Sequence, residues 1–184
     1  MHSFMQQLHE EHANVARLLA FIRQQVEELP DDEQPDYEHL HQVMHYLTHY
    51  PDVFHHPRED ALFALLEKKD PSCHAAVRQL KREHDTLASD GDNLRQRLNA
   101  KLQGKRLQWR TLSRELHEYA ELLENHMEME ERKVFPLAKL LLTEREWDDI
   151  AAKLRKRQDP IFGESATSPY ASLLNEIERG SSRH

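Results

Sequence analysis

The sequence predicts an all-α protein: an up-down-up-down four-helix bundle followed by short additional C-terminal helices. Three observations carry that expectation. The chain is rich in Leu, Glu, Gln, Arg and His and has few runs of the β-branched residues that favour sheet. Only 4 glycines occur in its 184 residues, so little interrupts the periodic stretches. Apolar residues recur every three or four positions over four long segments, each closed by proline, glycine or a polar turn. A chain of this length supports one sizeable core and is short for two.

In order along the chain, Ser3 with Gln6 reads as a capping box opening helix one. Its stripe runs through Leu8, Val15, Leu19, Ile22 and Val26 until Pro30. Asp36 caps helix two, which lasts to about Lys69, before Asp70-Pro71. Pro51 and Pro57 lie inside it, and an interior proline costs about 3 kcal/mol, so bends or a short break are expected there. Ser72 opens helix three, through Val77, Leu80, Leu87, Leu94 and Leu98 to Gly104, with Gly91 inside it. Helix four runs from about Arg106 through Leu112, Leu116, Tyr119 and Leu123 to Val134, just before Pro136. Short connections make these neighbours antiparallel. Thr143 with Glu146 forms a second capping box, for a short helix to about Arg157 that carries the basic cluster Lys153 to Arg157. DPIFGESATS (159–168) is a loop, and Ser168-Pro169 opens a last helix from near Tyr170 to Arg179. The expected division is a bundle over residues 1–140 and an extension over 141–184, packed on the bundle and covering one of its ends.

Charge and composition narrow the function. A net charge of -8 argues against nucleic acid or an anionic membrane as partner, since both need clustered Lys and Arg. No stretch approaches the roughly 18 apolar residues of a membrane span, and MHSFMQQLHEEH lacks the apolar run of a signal peptide. Cys73 is the single cysteine, so no internal disulfide forms. A cytoplasmic protein is expected. The one excess is histidine, with 14 residues.

Several of these histidines fall on core stripes. His12 lies between Leu8 and Val15 on helix one, and His84 between Leu80 and Leu87 on helix three. LHEEHANV (8–15) and LKREHDTL (80–87) share L-x-x-x-H. FHHPREDALFALL (54–66) and NHMEMEERKVFPLAKLL (125–141) share H-x-x-x-E, through His55 with Glu59 and His126 with Glu130. A two-helix unit is thus used twice. Counting about 1.5 Å per residue from the shared end of the bundle puts all four histidines at a common depth, roughly 14 to 20 Å in. Two carboxylates facing one another in an apolar core cost several kcal/mol each unless paired or metal-bound. No Lys or Arg occupies these stripe positions, and a cation is the economical solution. Imidazole and carboxylate donors without thiolate suit non-haem iron, ahead of manganese or zinc.

The order His12, His55-xxx-Glu59, His84, His126-xxx-Glu130 resembles the hemerythrin-like HHE cation-binding family over residues 4–136, and HMEMEERKVFP is similar to that family's fourth-helix signature. The resemblance implies a di-iron centre with an oxo or hydroxo bridge, able to engage oxygen, nitric oxide or hydrogen peroxide. The oxygen carriers of the family have H-x-x-x-H on the third helix. Here Ala88 follows His84 by four and Leu80 precedes it by four, which turns the reading from pure oxygen carriage towards redox chemistry or sensing in a stress response. An iron-sensing, iron-storage, iron-donor or regulatory module without turnover is the alternative, with a protein partner or homodimer, and a metal-free bundle is the third reading. No separate general acid or substrate pocket is legible, so enzyme status stays open, a peroxide- or nitric-oxide-reactive di-iron activity being the catalytic option. His56 with Asp60 is a second register for helix two. His41, His45 and His49 form an i, i+4, i+8 ladder that could hold an adventitious metal and is read in preference as a solvated face. His9, His39, His74 and His117 read as surface groups, and Met127 and Met129 as packing.

Overall fold

The computed structural model describes residues 2–28, 34–153, 158–163 and 170–181. Residues 154–157 of the basic cluster and the Ser168-Pro169 helix start lie outside them. The described residues are helical with no strand, an all-α helical bundle.

Helix α1 (Ser3–Arg23) leads into a π-helical turn over Gln24–Glu28. The Ser3–Gln6 capping box does not form. His2 is the cap: its Nδ1 accepts from the Phe4 N–H at 3.2 Å, and its carbonyl from the Gln6 N–H at 3.1 Å. Ser3 already sits in the first turn, and the Gln6 side chain reaches forward to Glu10 at 2.9 Å. Helix two is divided as its prolines require. α2 (Tyr37–Leu47) is capped by Asp36, whose side chain accepts from the His39 N–H at 3.0 Å. A π-helical turn, Pro51–His55, then joins it to α3 (His56–Lys69), with the His56 N–H reaching back to the Pro51 carbonyl.

Asp70 accepts from the Ser72 N–H at 2.9 Å and starts a short 3₁₀ turn, Pro71–Cys73, ahead of α4 (His74–Leu102). Gly104 closes the helix at φ 85°, a conformation that suits glycine. At Gly91 a Cβ would meet Thr48 Cγ2 at 2.6 Å and the Tyr119 ring at 3.2 Å. The missing side chain lets helices from both halves of the bundle approach there.

Helix four does not end at Val134. α5 (Trp109–Met129) passes through a π-helical turn, Glu130–Val134, into α6 (Phe135–Leu141). Pro136 sits in the first turn of α6, where its absent N–H has no intrahelical partner to lose. Each H-x-x-x-E helix therefore carries a π turn that ends two residues before a proline. Such turns shift helical phase by about one residue and recur at functional sites.

Buried apolar side chains form two clusters. One gathers Val15, Leu18, Leu47, Leu87, Leu116 and Leu123, and the other Leu8, Leu62, Leu66, Leu80, Val134 and Phe135. Between them on every long helix lies a layer of buried His and Glu. The extension touches both clusters and does not cover one end only. α7 (Glu144–Lys153) buries Trp147 and Ile150 in the second, whereas α8 (Ala171–Ser181) buries Leu173 and Ile177 in the first. Its amphipathic faces follow whichever cluster each segment reaches.

The second capping box does form. Thr143 N–H donates to Glu146 Oε2 at 2.9 Å and Thr143 Oγ1 accepts from the Glu146 N–H at 3.4 Å. Lys69 at 2.8 Å and then Thr143 hold the exposed Glu146 carboxyl down to about 2, from 4.5. A depressed carboxyl contributes stability above its unfolded value and loses it as pH falls through the folded one. The thermal midpoints of wild type and Glu146→Gln should differ most above pH 4.5 and converge towards about pH 2. A gap independent of pH would remove the electrostatic role.

Candidate metal centre

Alternation of His or Glu with leucine along one helical face sets the site. On α1 His12 follows Leu8, and on α4 His84 follows Leu80, each one turn along. His126 follows Leu123 on α5, and Glu59 precedes Leu62 on α3. The flanking leucines are fully or almost fully buried and bring the intervening polar groups in with them. His12, His55, Glu59, His84, His126 and Glu130 are each between 0% and 8% exposed.

The structure brings all six together. His12 Nε2 lies 3.1 Å from His55 Nε2, 3.5 Å from Glu59 Oε1 and 3.4 Å from Glu130 Oε2. His55 Nε2 is 2.9 Å from Glu59 Oε1. Opposite, His84 Nε2 lies 3.4 Å from Glu59 Oε2 and 4.0 Å from Glu130 Oε1, and His126 Nε2 is 3.4 Å from the same Glu130 oxygen. Each carboxylate thus turns one oxygen to the His12–His55 pair and the other to the His84–His126 pair. His12, His55 and Glu59 form one group able to hold a cation, and Glu59, His84, His126 and Glu130 another.

Donor chemistry tests the fit. Both oxygens of Glu59, both of Glu130, and the Nε2 atoms of His84 and His126 are buried without a hydrogen-bond partner. Unmatched polar atoms in such a core are costly. Arg58, the buried cation nearest in sequence, is spent on Glu11 at 2.6 Å. Burial, then the charge of Glu59, pushes the Glu130 carboxyl up to about 7. Burial also works against ionised Glu59, but His55, His12 and His84 outweigh it and hold that carboxyl well below the usual range. Burial likewise opposes charge on His12, yet Glu130, Glu131 and Glu59 raise it well above an ordinary imidazole. Convergent acceptors that must otherwise share protons fit a metal cation.

The sequence pattern of the family described as Hemerythrin HHE cation binding domain matches residues 3–138. The chain belongs to the hemerythrin HHE cation-binding domain family. No curated protein matches it.

In this hemerythrin-family chain three further carboxylates hold the imidazoles from outside. Glu11 Oε2 lies 2.7 Å from His55 Nδ1, Glu83 Oε2 2.9 Å from His126 Nδ1, and Glu131 Oε1 2.9 Å from His12 Nδ1. A carboxylate on Nδ1 fixes the tautomer and directs the Nε2 lone pair inward. Sequence reading did not single these out, although the signal was present. The repeated word is longer than L-x-x-x-H: it is L-x-x-E-H in both halves, and each Glu serves the histidine of the next helix. Glu131 has Asp60 as its counterpart in the first half, but Asp60 is exposed, and neither His56 nor Asp60 belongs to a metal-capable group among the described residues. Substituting Glu11→Gln is expected to weaken metal binding about 10- to 100-fold at the His55 side. In a chelator titration the metal-loaded variant should lose metal at a lower chelator concentration than wild type; an unchanged titration would contradict the link.

His9 is only half-buried and shares Glu131 with His12, at 2.7 Å, so it is tied to the centre and not a free surface group. His39, His74 and His117 are also partly buried, bonded to Ser172, the Glu67 carbonyl and Glu27. In the ladder His45 stacks on His49 at 4.8 Å and bonds Tyr170 at 2.7 Å. Among the described residues it forms no metal-capable group. Beside the centre is a cavity of about 20 Å³, lined by His12, His55, His56, Ala88, His126 and Met127 among others. That volume holds one or two water-sized groups.

Proposed function

We propose that this chain is a cytoplasmic non-haem di-iron protein, its residues 1–140 forming the bundle and 141–184 the extension. The centre binds or reacts with a small diatomic or peroxide ligand, oxygen, nitric oxide or hydrogen peroxide, in stress response or sensing. The observation that carries this reading is the shared geometry of Glu59 and Glu130, one oxygen of each facing each histidine pair. His12 and His55 would hold one iron, His84 and His126 the other, and the two carboxylates would hold both. Nitrogen and carboxylate donors without thiolate favour iron. Bound iron supplies open coordination positions and a reversible valence change.

The protein's own part is to orient and exclude. Glu11, Glu83 and Glu131 hold three imidazoles in place, while the leucine layers above and below keep bulk water out. With Ala88 in place of a further third-helix imidazole, each side of the centre offers two imidazoles, and a cavity of about 20 Å³ beside them admits only small ligands. In the described residues no helix is long and apolar enough to cross a membrane.

Metal analysis of protein purified without chelator and supplied with ferrous iron tests the reading, together with visible spectra before and after oxygen, nitric oxide or peroxide. About two irons per chain, with bands that respond to one of these ligands, is the expected result. Iron lost on substituting only His41, His45 and His49 would overturn it. Iron uptake that alters partner binding or oligomeric state, with no spectral response to any of the three, would instead favour an iron-sensing module.

A further inference from the structure

The two halves of the centre share their donor types but differ in what stands behind them. Aligned on the repeated H-x-x-x-E, HHPRE (55–59) and HMEME (126–130) set Arg58 against Met129. Met129 packs against the second apolar cluster. Arg58 is a cation with 6% exposure, and its Nη1 donates to Glu11 Oε1 at 2.6 Å. The other oxygen of that carboxylate, Oε2, lies 2.7 Å from His55 Nδ1. One carboxylate therefore joins a buried guanidinium to an imidazole of the donor set. In the second half Glu83 Oε2 holds His126 Nδ1 at 2.9 Å, but Glu83 Oε1 accepts from the neutral amide of exposed Gln79 at 2.8 Å.

Glu11 needs such a hold. It lines a cavity of about 280 Å³ that Gln7 and Glu10, both exposed, carry to the surface. Solvent entering there competes for the carboxylate, and a carboxylate drawn outward releases His55 Nδ1. Arg58 lines the same cavity and opposes that pull with a charge-assisted hydrogen bond, roughly twice as strong as a neutral one. Its guanidinium is always charged, so the hold does not depend on pH. Among the described residues it is the one cation lining this cavity. Gln7 and Asn14 bring neutral amides, Tyr50 approaches Glu11 as a neutral hydroxyl, and Glu10 and Asp159 bring further carboxylates.

Resting on the reading of this cluster as a metal centre, we propose that Arg58 is a positioning residue: it clamps Glu11 inward and so fixes the His55 ring. The other half shows what the clamp adds, because Gln79 offers Glu83 a hydrogen bond without charge. A fixed His55 keeps its Nε2 aimed at Glu59 Oε1, 2.9 Å away, and at the ion both would hold. Groups that grip a ligating imidazole from outside set its orientation, so loss of the clamp loosens the His12–His55 side alone.

The test reads solvent exchange of the His55 and His126 Nδ1–H protons by nuclear magnetic resonance on the zinc-loaded full chain. Zinc is diamagnetic, and with Nε2 on the ion each ring carries its hydrogen on Nδ1. Wild type is compared with three variants. Arg58→Gln gives Glu11 the kind of partner that Glu83 has, Arg58→Lys keeps the charge, and Tyr50→Phe removes the nearby hydroxyl. Arg58→Gln should exchange the His55 proton about tenfold faster, as for loss of a charged hydrogen bond, with His126 changed less than about twofold. Arg58→Lys and Tyr50→Phe should both stay within about threefold of wild type at His55. Equal changes at His55 and His126, or none at either, would overturn the proposal. So would Arg58→Lys matching Arg58→Gln, which would deny a role to the charge, or Tyr50→Phe matching it, which would give the clamp to Tyr50. The expected exchange pattern in a chain that refuses ferrous iron would support this inference and defeat the di-iron reading. Wild type that binds neither metal would defeat both.

Discussion

Replacing both Glu59 and Glu130 with leucine is expected to abolish metal binding and, in the metal-free state, to raise the melting temperature. Each carboxylate reaches both histidine pairs, so removing them dismantles two sites together. Without metal the same carboxylates are a burden: fully buried and crowded enough to push one of them up to about 7. Well-packed apolar residues in place of buried charged groups gain about 1 to 4 kcal/mol, which for a chain of this size is about 2 to 4 °C per kcal/mol. Metal acts the other way in wild type, adding about 2.7 kcal/mol per ion at a hundredfold excess over Kd. The expected order is therefore metal-loaded wild type, then the leucine variant, then metal-free wild type. Thermal melts with and without chelator give the order directly. Metal retained by the variant, or a metal-free melt well below wild type, would show that the carboxylates are structural.

Phe135→Ala should be the most damaging single change near the centre. Phe135 is fully buried in the second apolar cluster. Its ring stacks on His12 at 5.4 Å and meets His9 edge-on at 5.6 Å. Deleting a buried phenyl costs about 3 to 5 kcal/mol, or about 10 °C in melting temperature. His12 also loses the wall that fixes its ring, so the ion on the His12–His55 side should bind more weakly than its neighbour. Calorimetry reads the first effect and chelator competition the second. A large fall in stability with both ions held as in wild type would separate His12 from its packing.

Much of this was legible in one dimension. Apolar periodicity located the four long helices, because a helix that buries one face must repeat every three or four residues. The prolines of helix two announced the break between α2 and α3. They misled at Pro136, since a proline that follows a π turn begins a helix as readily as it ends one. Ser3 failed as a cap for a simpler reason: the preceding His2 offers an acceptor one residue earlier. The histidine and carboxylate stripe was visible because charged groups at core spacing have no cheap alternative explanation. Glu11, Glu83 and Glu131 were not singled out, because a glutamate beside a buried histidine looks like any solvated helix residue until its partner helix is in place.

By itself, then, the sequence determined the helical class, the antiparallel order and the common depth of His12, His55, His84 and His126, since these follow from period and rise along each chain segment. Only the tertiary structure decided which oxygen of Glu59 and Glu130 faces which pair and which carboxylate holds which imidazole. Those choices are contacts between helices distant in the chain. They depend on the rotation of each helix about its own axis, which the π turns at Pro51–His55 and Glu130–Val134 reset and which a residue count along one helix does not contain.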